Sequence, residues 1–259
     1  MNPFIPSTIS EALALAHPSW HAALRAGLDA VAQADPAYLP ALAEDDFLPH
    51  GGRLFAAFSQ PLDAVRFVLV GEGPYPRAES ATGYCFMDGA VGELWSESGL
   101  SKKVNRATSL RNFMKMLLVA DGRLSLAQTG GSALAPIAVE ARSSGSELIG
   151  SLADLQHNLH QHGFLLLNAT LAYRAQVPPA KEARAWWPFV EVVLQALAQP
   201  SAALPTLVLW GKIAERLATM QVAQRFPQAV SEHPYNLSFI GNEGMQALFR
   251  PLVLLQRRK

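Results

Sequence analysis

The stretch Val65-Arg66-Phe67-Val68-Leu69-Val70-Gly71-Glu72-Gly73-Pro74-Tyr75-Pro76 decides the fold. A β-branched, apolar run feeds directly into a Gly/Pro turn that ends on an aromatic residue. In an open α/β sheet, ligands bind outside the carboxyl ends of such strands. Three later segments repeat the arrangement: Leu165-Leu166-Leu167-Asn168, Val208-Leu209-Trp210-Gly211 and Ser231-Glu232-His233-Pro234. Each ends in a polar or turn-forming residue, so together they point to one pocket.

Working outward, the segments between the strands read as helices. Ser7 or Ser10 is expected to cap a short helix through Ala16, which His17-Pro18 ends. Ser19 is expected to cap a second helix, carrying Trp20, Leu24, Leu28 and Val31 at helical spacing. Leu110, Phe113, Met114, Leu117 and Leu118 form one face of a helix over 108–119. Helices are also predicted over 152–162, with Gly163 as cap, and over 186–198, 213–220 and 246–255. Between 120 and 148, Gly122, Gly130, Gly131, Ser143, Ser144 and Gly145 break the periodicity, which predicts a long, flexible insertion. Strands alternating with helices imply a parallel sheet covered on both faces. The expectation is therefore a single domain over 1–259, an α/β chain folded as a three-layer α/β/α sandwich with a short central parallel sheet.

Composition narrows the function. Half of the 259 residues are hydrophobic and 16% are charged, which is a folded chain and not a disordered tail. Twenty-one basic residues balance 21 acidic ones, so global charge gives no support to nucleic-acid binding. A locally basic face, such as Lys102, Lys103, Arg106 and Arg111, remains compatible with phosphate contacts. The lone Cys85 excludes an internal disulfide and a cluster held by four thiolates of this chain. His157, His160 and His162 lack a cysteine or carboxylate partner at metal-ligand spacing, so no metal is expected. No run of eighteen apolar residues exists and the first residues lack a secretory layout. A cytoplasmic monomer with no membrane segment is the expectation.

The motifs resemble a known family. Gly71-Glu72-Gly73-Pro74-Tyr75-Pro76 is similar to the GQDPYH motif of uracil-DNA glycosylases of the uracil-N-glycosylase type. Ala81-Thr82-Gly83-Tyr84-Cys85-Phe86 is similar to the segment that follows it, and Ser109-Leu110-Arg111-Asn112 to the family's serine–leucine loop and helix start. Leu165 to Leu171 resembles its LLLN motif, Leu207 to Gly211 its LLWG strand, and His233 to Ser238 its HPSPLS loop. Ser19-Trp20, Phe47-Leu48-Pro49 and Leu54 to Phe58 resemble earlier landmarks in the same order. The resemblance spans about residues 19 to 255, apart from the stretch at 120–148.

It implies a uracil-DNA glycosylase-like fold and hydrolysis of the N-glycosidic bond of a flipped uracil, in base-excision repair, on uracil-containing DNA and with no cofactor. By the resemblance, Tyr75 fills the space beside uracil C5 and Phe86 stacks on the base. Asn168 reads the uracil edge, since a carboxamide accepts from N3–H and donates to O4. His233 donates to O2, where charge accumulates as the bond breaks. Leu237 wedges into the vacated space, and Ser109 and Ser238 hold flanking phosphates.

The pattern breaks at specific places. The family's aspartate, which positions the attacking water, is Gly73, and its closing histidine is Pro76. The loop's serine–proline is Tyr235-Asn236. Glu72 stands where the iron–sulfur branch of the superfamily carries the glutamate of its GEAPG motif, and it is the candidate to orient water instead. Two alternatives follow: a catalytically degenerate protein that binds DNA or bases without cutting, or a glycosylase for another damaged base. Taken one at a time, Asn168 also suits a turn cap, His233 an ordinary loop histidine, Tyr75 and Phe86 core aromatics, and Glu72 a solvated carboxylate.

Overall fold

The computed structural model describes residues 3–199 and 203–257. In chain order the helices are α1 (Ser7–Glu11), α2 (His21–Ala34), α3 (Tyr38–Glu44), α4 (Lys102–Arg106), α5 (Thr108–Ala120), α6 (Gly131–Arg142), α7 (Leu152–Gln161), α8 (Pro179–Leu197), α9 (Lys212–Leu217) and α10 (Glu243–Phe249). The strands are β1 (Phe67–Gly71), β2 (Trp95–Ser96), β3 (Gly99–Leu100), β4 (Phe164–Asn168), β5 (Thr206–Trp210) and β6 (Gln228–Ser231). The central sheet runs β4-β1-β5-β6, and β2 pairs with β3 as a separate two-stranded ladder. β1 is parallel to both neighbours, with Gly71 opposite Asn168 and Val70 opposite Leu167 and Leu209. Bonds from Leu207 N to Pro227 O and from Gly211 N to Ser231 O, both 2.9 Å, advance four residues on each chain and make β6 parallel too. This is the expected α/β architecture: a parallel sheet flanked by helices.

The chain divides into two compact units. The first comprises the chain through Gly89, Gly163–Leu209 and Ile213–Gln228. Its core follows from the pleat: Val68, Val70, Leu165, Leu167, Leu207 and Leu209 point to one face, and all are buried. Against that face lie α2 and α8, which carry Leu24, Leu28 and Val31 and Trp186, Phe189, Val190 and Val193. Phe189 stacks on Phe55 at 5.8 Å between centroids and meets Trp186 edge-on at 5.4 Å. Truncating such a ring to Ala typically costs about 3–5 kcal/mol.

The second unit comprises Ala90–His162, Trp210–Lys212 and the chain from Ala229. Its centre is aromatic: Phe113 lies 5.6 Å from Trp210 and 5.1 Å from Phe249, and Trp210 meets Phe239 at 5.4 Å. The Trp95 indole donates to Ile149 O at 2.8 Å, which ties β2 to the strand-like segment before α7.

Several expectations are corrected. Residues 131–142 form α6, where an irregular stretch is expected; Leu134, Ile137, Ala138 and Ala141 are buried at i, i+3, i+4 and i+7. Of the glycines that suggested a loop, Gly130 and Gly131 open this helix, Gly145 lies just past its end, and Gly122 follows the end of α5. Ser7 is the first residue of α1 and Pro6 its cap, while Ser10 lies inside it. Ser19 does not cap α2; a short 3-10 turn, Pro18–Trp20, intervenes, and the Ser19 hydroxyl accepts from Leu62 N at 2.9 Å. α8 begins at Pro179 instead of 186, because proline at the first helical position loses no intrahelical bond. The last helix stops at Phe249, and a 3-10 turn containing Pro251 follows. Among the described residues, no helix is long and apolar enough to cross a membrane.

Candidate functional site

In the first unit the candidate residues gather where β1 and β4 end. Beyond the Gly71–Asn168 pair the two chains stay together: Ala169 N donates to Gly71 O at 2.8 Å and Thr170 N to Glu72 O at 3.1 Å. The loop after β1 is thus guided by the loop after β4. A third segment joins them, with Cys85 N donating to Leu166 O at 3.0 Å and its thiol to Leu69 O at 3.1 Å. This convergence requires a glycine at 71. A Cβ there would lie 2.8 Å from Cys85 Cβ and 3.1 Å from Asn168 Oδ1.

Asn168 is buried at 4% exposure, and its Oδ1 has no hydrogen-bond partner among the described residues. An unpaired buried acceptor typically costs about 1–3 kcal/mol, so a donor from outside the protein is the natural complement. Phe86 is half-buried, with φ of 65°. A bulky side chain in left-handed backbone is uncommon and concentrates at functional sites. Tyr75 is half-buried, and burial raises its hydroxyl pKa, assisted by the Asp88 carboxylate, while Arg77 opposes the shift. The phenol is therefore neutral, a shape and not a charge.

Glu72 is exposed and lines a cavity of about 280 Å³ with Gly73, Thr170, Tyr173, Glu182 and Arg216. A Cβ on Gly73 would lie 3.3 Å from Thr170 Cβ, so a side chain at 73 requires Thr170 to yield. In the cavity wall, the buried Glu182 accepts from the Tyr38 hydroxyl and, at 2.5 Å, from Arg174 Nε. Arg174 Nη1 also lies 3.6 Å from Asp45 Oδ2, and its guanidinium stands 5.3 Å over the Tyr38 ring. These groups fix the chain that follows Asn168.

In the second unit, His233 lies on the loop after β6, and Leu237 and Ser238 open the short 3-10 helix Leu237–Gly241 that follows it. Tyr235 N donates to His233 Nδ1 at 3.1 Å. A nitrogen that accepts carries no proton, so the neutral ring presents Nε2–H as its donor. Gly211, with φ of 62°, allows this approach, since a Cβ there would lie 3.0 Å from His233 Cβ. Beneath the loop, the fully buried Asn112 of α5 directs Nδ2 at Pro234 O (2.7 Å), Tyr235 O (3.3 Å) and Asn236 O (3.3 Å). Leu237 and Ser238 are exposed, and Ser109 is half-buried at the second position of α5.

Sequence reasoning missed Asn112 as the loop's brace, Gly211 as the residue that admits His233, and the Tyr38–Glu182–Arg174 group. Asn112 belongs to the Ser109–Asn112 motif, but nothing local says that its amide reaches 122 residues ahead.

No family model matches the chain. A crystal structure of a UNG from Nitratifractor salsuginis superposes on it with a TM-score of 0.88 and 38% identity, covering 100% of both chains. A uracil-DNA glycosylase of Corynebacterium glutamicum is 29% identical over 86% of this chain and 81% of its own length. One of Mycolicibacterium smegmatis is 27% identical over 94% and 92%. The parallel sheet flanked by helices is the fold that the Nitratifractor salsuginis structure shares. The chain belongs to the uracil-DNA glycosylase superfamily, UNG type.

Proposed function

We propose that this chain hydrolyses the N-glycosidic bond of uracil flipped out of DNA, opening base-excision repair. The observation that carries the reading is the buried Asn168 Oδ1 without a hydrogen-bond partner. It is an acceptor placed at a strand end, and uracil N3–H is a donor of matching chemistry. Phe86 stacks on the extruded base, and the neutral Tyr75 fills the space a thymine methyl would need. Water attacks C1′ as the C1′–N1 bond breaks, the bonding electrons leave with uracil, and the proton that the water sheds passes through solvent to the departing anion. His233 Nε2–H donates to O2, which takes up that charge. Leu237 fills the vacated stack, and Ser109 and Ser238 hold flanking phosphates. The protein acts as a cytoplasmic monomer in this reading.

Glu72 orients the water, in place of the absent aspartate at Gly73. Losing one preorganised electrostatic group typically lowers turnover about 10²–10³-fold. Turnover well below that of a uracil-DNA glycosylase with the full motif is therefore part of the proposal. Gly73 also favours a second reading, a protein that binds uracil-containing DNA without cutting it.

Uracil-containing single- and double-stranded oligonucleotides, treated with alkali after incubation, separate the two. Strand breaks at uracil support the hydrolase. Salt-sensitive binding with no breaks supports the binder.

A further inference from the structure

Tyr235 and Leu237 are 68% and 69% exposed, the most exposed large hydrophobic side chains among the described residues. They stand on backbone that is held from below. Asn112 Nδ2 engages the carbonyls of residues 234–236, Pro234 is buried, and Phe239 N donates to Asn236 O at 3.2 Å. Folding thus orders a loop whose two apolar tips gain nothing from the core, and a paired apolar projection of this kind marks a contact with a partner. The flanking residues say which partner, because this is the loop that carries His233. Two residues of extended chain span at most about 7 Å, roughly two base steps of a strand with 3.4 Å spacing. A strand that seats Leu237 in one gap therefore brings its next base within reach of Tyr235.

We propose that Tyr235 stacks on the nucleobase that neighbours the extruded uracil, so that the chain reads flanking sequence through stacking. This rests on the reading that the chain acts on uracil-containing DNA. The Tyr235 main-chain N–H sets the His233 tautomer, so a base seated on this ring also settles the peptide that orients the donor. Stacking strength rises with ring area, and a purine neighbour is therefore favoured over a pyrimidine.

The test uses the full chain with Tyr235→Ala and Tyr235→Phe, and single-stranded oligonucleotides carrying 2-aminopurine beside a non-hydrolysable 2′-fluoro deoxyuridine. Wild type and Tyr235→Phe should change the 2-aminopurine fluorescence and prefer purine neighbours. Tyr235→Ala should lose both effects and bind roughly 5- to 150-fold more weakly, the range for one stacked base of about 1–3 kcal/mol. Free-uracil binding and melting temperature should stay unchanged, which excludes misfolding. Equal affinity within twofold for Tyr235→Ala, an unchanged neighbour preference, or no DNA binding by wild type overturns the proposal. Tyr235-dependent binding by a protein that leaves uracil in place would sink the hydrolase reading and keep this one.

Discussion

The Asn168 Oδ1 atom lies 3.1 Å from the point where a Cβ on Gly71 would sit, across a register that pairs the last residues of β1 and β4. The strand end is thereby packed to its limit around a carboxamide whose oxygen no described residue satisfies. Gly71→Ala should displace Asn168 or Cys85, whose Cβ would be 2.8 Å away. Overpacking of this kind costs about 1–3 kcal/mol, and uracil excision should fall by more than the loss of stability explains. Calorimetry and free-uracil titration of the same variant check this; wild-type uracil affinity would refute it.

Asn112→Ala leaves the Pro234 and Tyr235 carbonyls without their side-chain donor, each worth about 1–3 kcal/mol if it stays dry, while Asn236 O keeps Phe239 N. Amide exchange at Asn236 and Phe239 should accelerate, and turnover should drop while free-uracil binding changes less. Unaltered exchange at both amides would show that the loop holds itself.

Glu72→Gln should cut the excision rate by about 10²-fold if the carboxylate orients water; an unchanged rate removes Glu72 from the mechanism. The complementary experiment restores the missing group. Because Thr170 Cβ stands 3.3 Å from a Cβ at 73, Gly73→Asp alone should be hindered. Gly73→Asp combined with Thr170→Ala should raise turnover above wild type, by up to about 10²–10³-fold.

Arg174 and Glu182 are 6% and 2% exposed and in direct contact. Removing one member of a buried pair strands the other charge, at a cost of about 3–5 kcal/mol. Arg174→Met should show that loss in urea unfolding, and a change under 1 kcal/mol would mean that water or Tyr38 compensates.

Asp121 supplies a pH signature. Burial lifts its carboxyl from 3.8 to about 6, against the pull of Arg123 and Arg250. The folded state therefore favours the protonated acid, so this group's contribution to stability falls as pH rises from about 3.8 to about 6. Above that window the half-buried charge is a standing cost. Asp121→Asn should flatten the stability profile across the window and stabilise the protein at neutral pH. An unchanged profile in thermal melts from pH 4 to 7 would refute the assignment.

Much of this was legible in the chain because the signals are local. Phe67 to Val70 and Phe164 to Leu167 are continuous apolar runs, which a strand buried on both faces requires. Their polar ends therefore located Glu72 and Asn168 without coordinates. The α6 helix was hidden because Gly130, Gly131 and Gly145 outweighed four well-spaced apolar residues, and Pro136 interrupts the pattern. The β2–β3 ladder, two residues on each side, is too short to carry periodicity.

By itself the sequence determined the sheet, the order of its motifs and the residue types offered at each strand end, since those depend on neighbours in the chain. Only the tertiary structure decided which of those groups is left unsatisfied, which ring nitrogen of His233 holds the proton, and that a helix residue 122 positions away braces its loop. Hydrogen bonds are satisfied or stranded in space, and no spacing along the chain records the outcome.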